Sequence, residues 1–275
     1  MSSPTSFTSP DLKKGSPPLS WKDFKRPRLR RFSPPSDLQL QEYLGGGEDG
    51  FVFKTQADEQ TLMAVKIFYH NRQPEPIYGI GRYWAFEREC INCALLDMIG
   101  ASMRRAKITG NPIHLRPSPT KHKHAIRNLF AFSDEGFAKS PPPEHFMPFE
   151  PSVEINHCYG WTELSGRDIN AALKRARVHQ DIDDDQTYFA IVYSFVPKAK
   201  LEAETIISQL EFFHITGFYN VSFNFTNWLG AGVLVDFCDI VHPFAHELEW
   251  SEHWYAKNPS MLHAAVRYQA QEGIS

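Results

Sequence analysis

Two kinds of apolar pattern alternate along the chain. Near-continuous apolar runs, of the kind a buried strand carries, lie at residues 63–68, 157–161, 188–197 and 232–238. Helical stripes lie between them. In residues 83–98, Trp84, Ile91, Leu95 and Met98, with Phe86 and Leu96 beside them, recur at helical spacing; in 201–216 Ile206, Leu210 and Phe213 do the same. Shorter helices are expected within 164–176 and around 125–132. The mixture predicts an α+β fold. Two stretches break the pattern. Residues 1–36 are rich in Ser and Pro and nearly free of apolar periodicity, so they are expected to be disordered. Residues 100–157 hold many prolines, the basic run Lys121-His122-Lys123-His124 and Pro141-Pro142-Pro143, and read as a long insertion.

The chemistry gathers in residues 40–69, which read as a β-hairpin with a glycine turn. Gly45, Gly47, Gly50 and Val52 fill a G-x-G-x-x-G-x-V pattern, and Lys66 follows on the next strand-like run, Met63-Ala64-Val65-Lys66-Ile67-Phe68. Bare backbone at such a turn can approach phosphates, and a lysine on the next strand can point back at them. The pattern lies between strands rather than opening a helix, which argues against a Rossmann site. The plainer reading is a glycine-rich hairpin with an ordinary exposed lysine. On the helix of 83–98, Glu89 is the first choice and Glu87 the second for an ion pair that would fix the Lys66 head; the alternative is that both are solvated surface charges.

Charge and cysteine content narrow the setting. The chain has 275 residues and a net charge of −3, but residues 1–36 carry eight Lys/Arg against two Asp/Glu, leaving 21 against 30 for the rest. The globular part is therefore a poor general binder of nucleic acid. Any contact with DNA, an import receptor or an acidic protein falls to the cluster Lys25-Arg26-Pro27-Arg28-Leu29-Arg30-Arg31, which could equally be a solubilising tail. No apolar run is long enough to span a bilayer, and the N-terminus lacks a signal-peptide core. The four cysteines, Cys90, Cys93, Cys158 and Cys238, are too few for a disulfide scaffold. Cys90 and Cys93 form C-x-x-C without a second pair, so buried helix thiols are expected rather than zinc. His122 and His124 lack accompanying carboxylates or thiols and read as exposed loop residues.

The hairpin, the Val-Lys strand and the glutamate helix resemble the N-lobe of a protein kinase. Residues 188–197, ending on Pro197, resemble its last strand and hinge. His214-Ile215-Thr216-Gly217-Phe218 resembles the approach to a catalytic loop, and Val233-Leu234-Val235-Asp236-Phe237-Cys238 resembles the strand that carries the metal-binding aspartate. The resemblance puts Asn227 and Asp236 in the magnesium positions and Lys66, fixed by Glu89, at the ATP phosphates. Three departures follow. Ser222 occupies the catalytic aspartate position, where a neutral hydroxyl cannot accept the substrate proton. Glu48 and Asp49 put two carboxylates at the glycine-loop tip. Cys238 replaces the glycine after Asp236-Phe237, and only 37 residues remain beyond it.

A longer series, L-G-G-G-E-D-G-F-V-F-K, V-K-I-F, Y-W-A-F-E-R-E-C-I-N-C-A-L-L, I-R-N-L-F-A-F-S-D-E-G, C-Y-G-W, F-A-I-V-Y-S-F-V-P and L-V-D-F-C-D-I-V-H-P, resembles the fungal kinetochore family called the FTA-two subunit of the Sim-four complex, over about residues 38–245. The resemblance implies a nuclear, centromere-associated subunit acting through other kinetochore proteins, with a kinase-like fold. Together these give the expectations carried forward. The fold is a protein-kinase-like two-lobe α+β fold with an antiparallel N-lobe sheet and a truncated helical C-lobe. It consists of a disordered basic tail (1–36), an N-lobe (37–197) with an insertion at about 100–157, and a reduced C-lobe (198–275). The function is that of a pseudokinase-like protein-interaction scaffold. The alternative is an active atypical kinase using ATP and Mg, with Asp239 or another carboxylate as base.

Overall fold

The protein's computed structural model describes residues 6–34, 38–58, 60–75, 83–139, 144–151, 153–221, 224–246 and 249–272. In chain order it runs β1 (Thr8–Leu12), α1 (Trp21–Lys25), β2 (Leu29–Arg31), β3 (Glu42–Gly46), β4 (Gly50–Gln56), β5 (Leu62–Phe68), α2 (Ala85–Thr109), β6 (Ile113–Leu115), α3 (His122–Phe130), α4 (Asp134–Phe137), β7 (Met147–Phe149), β8 (Cys158–Ser165), α5 (Gly166–Ala176), β9 (Thr187–Ser194), α6 (Ala203–Ile215), β10 (Tyr219–Asn220), β11 (Trp228–Leu229), β12 (Val233–Leu234), β13 (Ile240–Val241) and α7 (Glu252–Glu272). This is a mixed α+β fold. It divides into two compact units. The first gathers residues 1–14, 28–93 and 157–195, and the second gathers 15–27, 94–156 and 196–275.

The first unit is built on a seven-stranded sheet in the order β1-β2-β8-β9-β5-β4-β3. From β8 to β3 every pairing is antiparallel, and β2 and β1 then add in parallel at the β8 edge. Both sheet faces are apolar, which is why residues 63–68 and 188–194 read as continuous runs rather than alternating ones. One face buries Phe51, Phe53, Val65, Ile67, Ala190 and Val192 against Ile169, Ala172 and Leu173 of α5. On the other, Phe86 at the start of α2 stacks on Phe189, ring centroids 4.4 Å apart. Helix α5 starts where Ser165 accepts from the Asp168 N–H, an N-cap that the sequence S-G-R-D supplies.

The expected disordered tail is corrected by the structure over its described part. Residues 8–12 and 29–31 are strands and 21–25 a helix. Phe7 and Leu29 are buried in the first unit and Phe24 in the second. Composition misled because three scattered apolar residues show no period of their own, and the edge of β8 supplies the hydrogen bonds that the segment cannot make alone. The basic cluster is likewise not a loose arm. Arg28 Nε donates to the Thr8 carbonyl (2.8 Å), and Arg31 meets Glu163 at 3.2 Å; Lys25, Arg26 and Arg28 keep exposed side chains.

The second unit corrects the domain boundaries. Residues 94–156 do not cluster with the first unit as an insertion in its lobe; they cluster with 196–275. Helix α2 runs to Thr109, past the expected end at Met98, because 99–109 carries Ala, Met, Lys and Arg, all good helix formers, and stops at Gly110 with φ +69°. His122 begins helix α3 instead of sitting in a loop, and Ala125 of α3 packs in a cluster with Tyr219, Val241, Trp250 and Tyr255. The second unit is therefore not a remnant of the last eighty residues alone. Residues 233–238 were expected as one strand. Only Val233–Leu234 pair, and Phe237–Asp239 turn as a 3-10 helix capped by the Asp236 carboxylate.

Candidate functional site

The glycine hairpin is β3–β4. Gly47 N–H donates to the Gly50 carbonyl at 2.9 Å, closing the turn. Gly45 has φ +145°, which favours glycine, and a side chain on Gly50 would meet the Ile67 carbonyl oxygen at 2.0 Å, so β5 can approach only a glycine there. Gly47 has open space around its α-carbon and is not required sterically. At the tip, Asp49 accepts from the Tyr83 hydroxyl at 2.9 Å, so this carboxylate is engaged within the unit, while Glu48 is exposed.

Val52 on β4 stands opposite Lys66 on β5, and Lys66 stands opposite Ile191 on β9. Directly paired residues share a sheet face, so the hairpin valine and the lysine lie on one surface. Tyr193, two residues beyond Ile191, lies on the same face. Helix α2 supplies the partner. Lys66 Nζ lies 2.7 Å from Glu89 Oε2, and the Tyr193 hydroxyl donates to Glu89 Oε1 at 2.6 Å. Cys93, four residues after Glu89 and so on the same helix face, places its sulfur 3.3 Å from that hydroxyl. Glu89 has no exposed surface and Lys66 only 7 %. Glu87, the second choice, takes a hydrogen bond from Gln73 at 3.3 Å instead.

The pair is therefore a buried one. Both carboxylate oxygens of Glu89 are hydrogen-bonded, the condition under which a buried ion pair is tolerated. Deleting one partner of such a pair strands the other charge, at a cost of roughly 3–5 kcal/mol. The neighbours reinforce the low-dielectric setting. Burial pushes the Cys90 and Cys93 thiols and the Tyr193 phenol well up, with nearby Cys158 and Glu89 acting in the same direction. All four cysteines are free and buried. Tyr193 is the site residue that sequence reading missed; its signal was period-two spacing from Ile191, whose pairing with Lys66 puts it on the lysine's face.

The remaining candidates lie in the second unit. Asn227 closes a 3-10 turn (Phe225–Asn227), and its side-chain amide donates to Asp239 Oδ2 at 2.9 Å. Its carbonyl accepts from the Val235 N–H at 2.9 Å, which ties this turn to the segment that leads into Asp236. Asp236 is half-buried, and its Oδ1 accepts from the Cys238 N–H at 3.0 Å. The structure thus gathers Asn227 and Asp239 through one hydrogen bond, with Asp236 close by in the chain. Ser222 lies outside the described residues. Gly45, Gly47, Gly50, Val52, Lys66 and Glu89 come together in the first unit, and Asn227 and Asp236 in the second.

No protein-family model, no curated protein and no solved structure matches this chain. No helix among the described residues is long and apolar enough to cross a membrane.

Proposed function

We propose that this chain is a protein-kinase-like domain of the fungal inner kinetochore, akin to the FTA-two subunits of the Sim-four complex, and that it acts in the nucleus at the centromere as a protein-binding scaffold rather than a phosphotransferase. The observation that carries the kinase-like part is the Lys66–Glu89 pair at 2.7 Å, made between the strand after a glycine hairpin and the helix that follows it. Hairpin, lysine strand and glutamate helix are the parts that position nucleotide phosphates in kinases. Two observations favour a scaffold over a transferase. The base position of the sequence pattern is Ser222. Apolar side chains Trp254, Met261 and Tyr268 stand exposed at seven-residue intervals along α7, which suits contact with other proteins. The exposed Lys25, Arg26 and Arg28 are the residues that would meet an import receptor or DNA.

A second reading, an atypical kinase binding ATP and Mg, is favoured by the same ion pair. Gly45, Gly50, Val52 and Lys66 would face the nucleotide, and Asn227 and Asp236 would hold the ion. Two measurements decide. A fluorescent fusion expressed in a fungal host is expected at foci coincident with centromeric nucleosomes; a diffuse signal removes the kinetochore reading. Purified protein given γ-labelled ATP and Mg is expected to transfer no phosphate. Transfer that disappears in Asp236→Asn and Lys66→Met would replace the scaffold with the kinase.

A further inference from the structure

The second unit holds a feature that neither reading uses. Arg116, Lys123, His124, Arg127 and Phe146 line an open cavity of about 290 Å³. Every polar side chain in that wall is basic, in a chain whose net charge is −3. Lys123, His124 and Arg127 sit together on α3, at a spacing that brings the first and last to one helix face. Arg127 lays its guanidinium over the Phe146 ring, 5.6 Å from the centroid. Arg116 is fixed by its backbone. Its N–H donates to Asn128 Oδ1 at 2.9 Å and its carbonyl accepts from Asn128 Nδ2 at 3.0 Å, while the same Nδ2 reaches the Ile215 carbonyl at 2.8 Å. Asn128 is fully buried, so this clamp is rigid.

The charges in the wall are uncompensated. Among the described residues no carboxylate forms an ion pair with Arg116, Lys123 or Arg127, and the buried Arg116 Nε has no hydrogen-bond partner. Glu252 is an acid felt at His124, but its carboxylate takes the His122 N–H at 2.9 Å. His124 Nδ1 accepts from the Thr120 N–H at 3.2 Å, so the neutral ring keeps its proton on Nε2 as a donor. The three cations Arg116, Lys123 and Arg127 around one concavity repel one another, and an anion in their midst removes that cost.

We propose that this cavity binds a phosphate monoester carried by a partner protein, a phosphoserine or phosphothreonine side chain. Charge count selects the phosphate over a carboxylate. A carboxylate is satisfied by one arginine fork, whereas a phosphate brings close to two negative charges and three acceptor oxygens, enough for two arginines, a lysine and an imidazole N–H. Arginine clusters are the recurring reader of such groups. Extent selects a protein over a nucleic acid. A polyanion needs a basic track along its backbone, whereas basic side chains gathered round a single concavity, in a chain of net charge −3, offer a point site. Phe146 gives the peptide beside the phosphate an apolar wall. The proposal is independent of the kinase-like reading.

The test is fluorescence anisotropy on the full chain. The probe is a labelled peptide pool with a fixed central phosphothreonine and randomised flanks. Parallel pools carry threonine or glutamate at that position, and a labelled oligothymidine serves as the nucleic-acid arm. Only the phosphothreonine pool is expected to bind saturably, with displacement by inorganic phosphate. Arg116→Ala and Arg127→Ala should each weaken it about tenfold or more. Arg127 and Lys123 are exposed, so Arg127→Glu and Lys123→Glu keep the fold and should abolish binding even if Arg116→Ala unfolds. The proposal falls if no pool binds, if the glutamate pool or oligothymidine binds as well, or if Arg127→Glu leaves binding intact.

Discussion

His214 shows how much one half-buried ring can weigh. It ends α6 with Nε2 3.0 Å from the Pro119 carbonyl, and its ring lies 4.3 Å from that of Tyr255. Its Nδ1 is buried without a hydrogen-bond partner. Burial, with His263 nearby acting the same way, holds the imidazole at about 4, against the Pro119 hydrogen bond that pulls it up. The ring is thus neutral in the folded protein, with Nε2–H as the donor to Pro119. The unfolded ring titrates near 6.5. Above that value both states are neutral and the contribution is fully present. As pH falls from 6.5 towards 4 the unfolded chain takes up a proton that the folded one refuses, and stability drops by roughly 3 kcal/mol. Urea midpoints at pH 7 and pH 4.5 should therefore differ more in the parent than in His214→Phe, which has nothing to titrate. Equal drops in the two proteins would remove His214 as the cause.

Gly160 carries an element-scale consequence. It has φ +124°, and a side chain there would come within 2.5 Å of the Arg30 carbonyl and 2.8 Å of the Phe32 nitrogen. That bare position lets β2 lie against β8. Phe32 N–H donates to the Trp161 carbonyl at 2.7 Å, the Trp161 indole donates to the Ser9 carbonyl at 2.9 Å, and Arg31 sits over the indole at 5.1 Å. Gly160→Val should lift the N-terminal strands from the edge and cost about 1–3 kcal/mol. Limited trypsin digestion reads this directly, since Lys13, Arg28 and Arg31 lie in the seated segment. Faster cleavage there, with the β4–β5 hairpin still protected, is the expected result; an unchanged pattern would show that Gly160 does not govern the docking. None of this was legible beforehand. The run at 157–161 announced a strand, but a positive φ within it leaves no trace in apolar spacing. The tail's strands are defined by a partner about 130 residues away, not by their own composition. The Lys66–Glu89 pair was legible, because glycine spacing, strand and helix are each local patterns and their combination restricts which acid can reach the lysine.

At the scale of the whole molecule, what the sequence hides is how distant segments share a core. Residues 196–275 alone look too short for a stable body, and the chain order invites the view that 100–157 is an excursion from the first unit. The contacts run the other way. Ala125 packs with Tyr219, Val241, Trp250 and Tyr255. The Asn128 amide reaches the Ile215 carbonyl, and the His122 ring stands against Trp250 with centroids 4.8 Å apart and its Nε2 2.6 Å from the Pro243 carbonyl. Farther along, the Gln209 side chain joins the Glu154 carbonyl to the Leu234 N–H, so residues on both sides of the first unit's last strand depend on one amide. Removing 94–156 would expose Trp250 and Tyr255 and leave the Ile215 carbonyl and the Gln209 side-chain N–H to find water. A polypeptide of 196–275 is therefore expected to show no cooperative thermal transition, whereas the full chain shows one that includes these residues. A sharp transition in the isolated piece, with near-ultraviolet tryptophan dichroism, would show that the core closes without α3. Its absence would mean that folding of the C-terminal third waits on residues 94–156 and on the long-range contacts that define the unit.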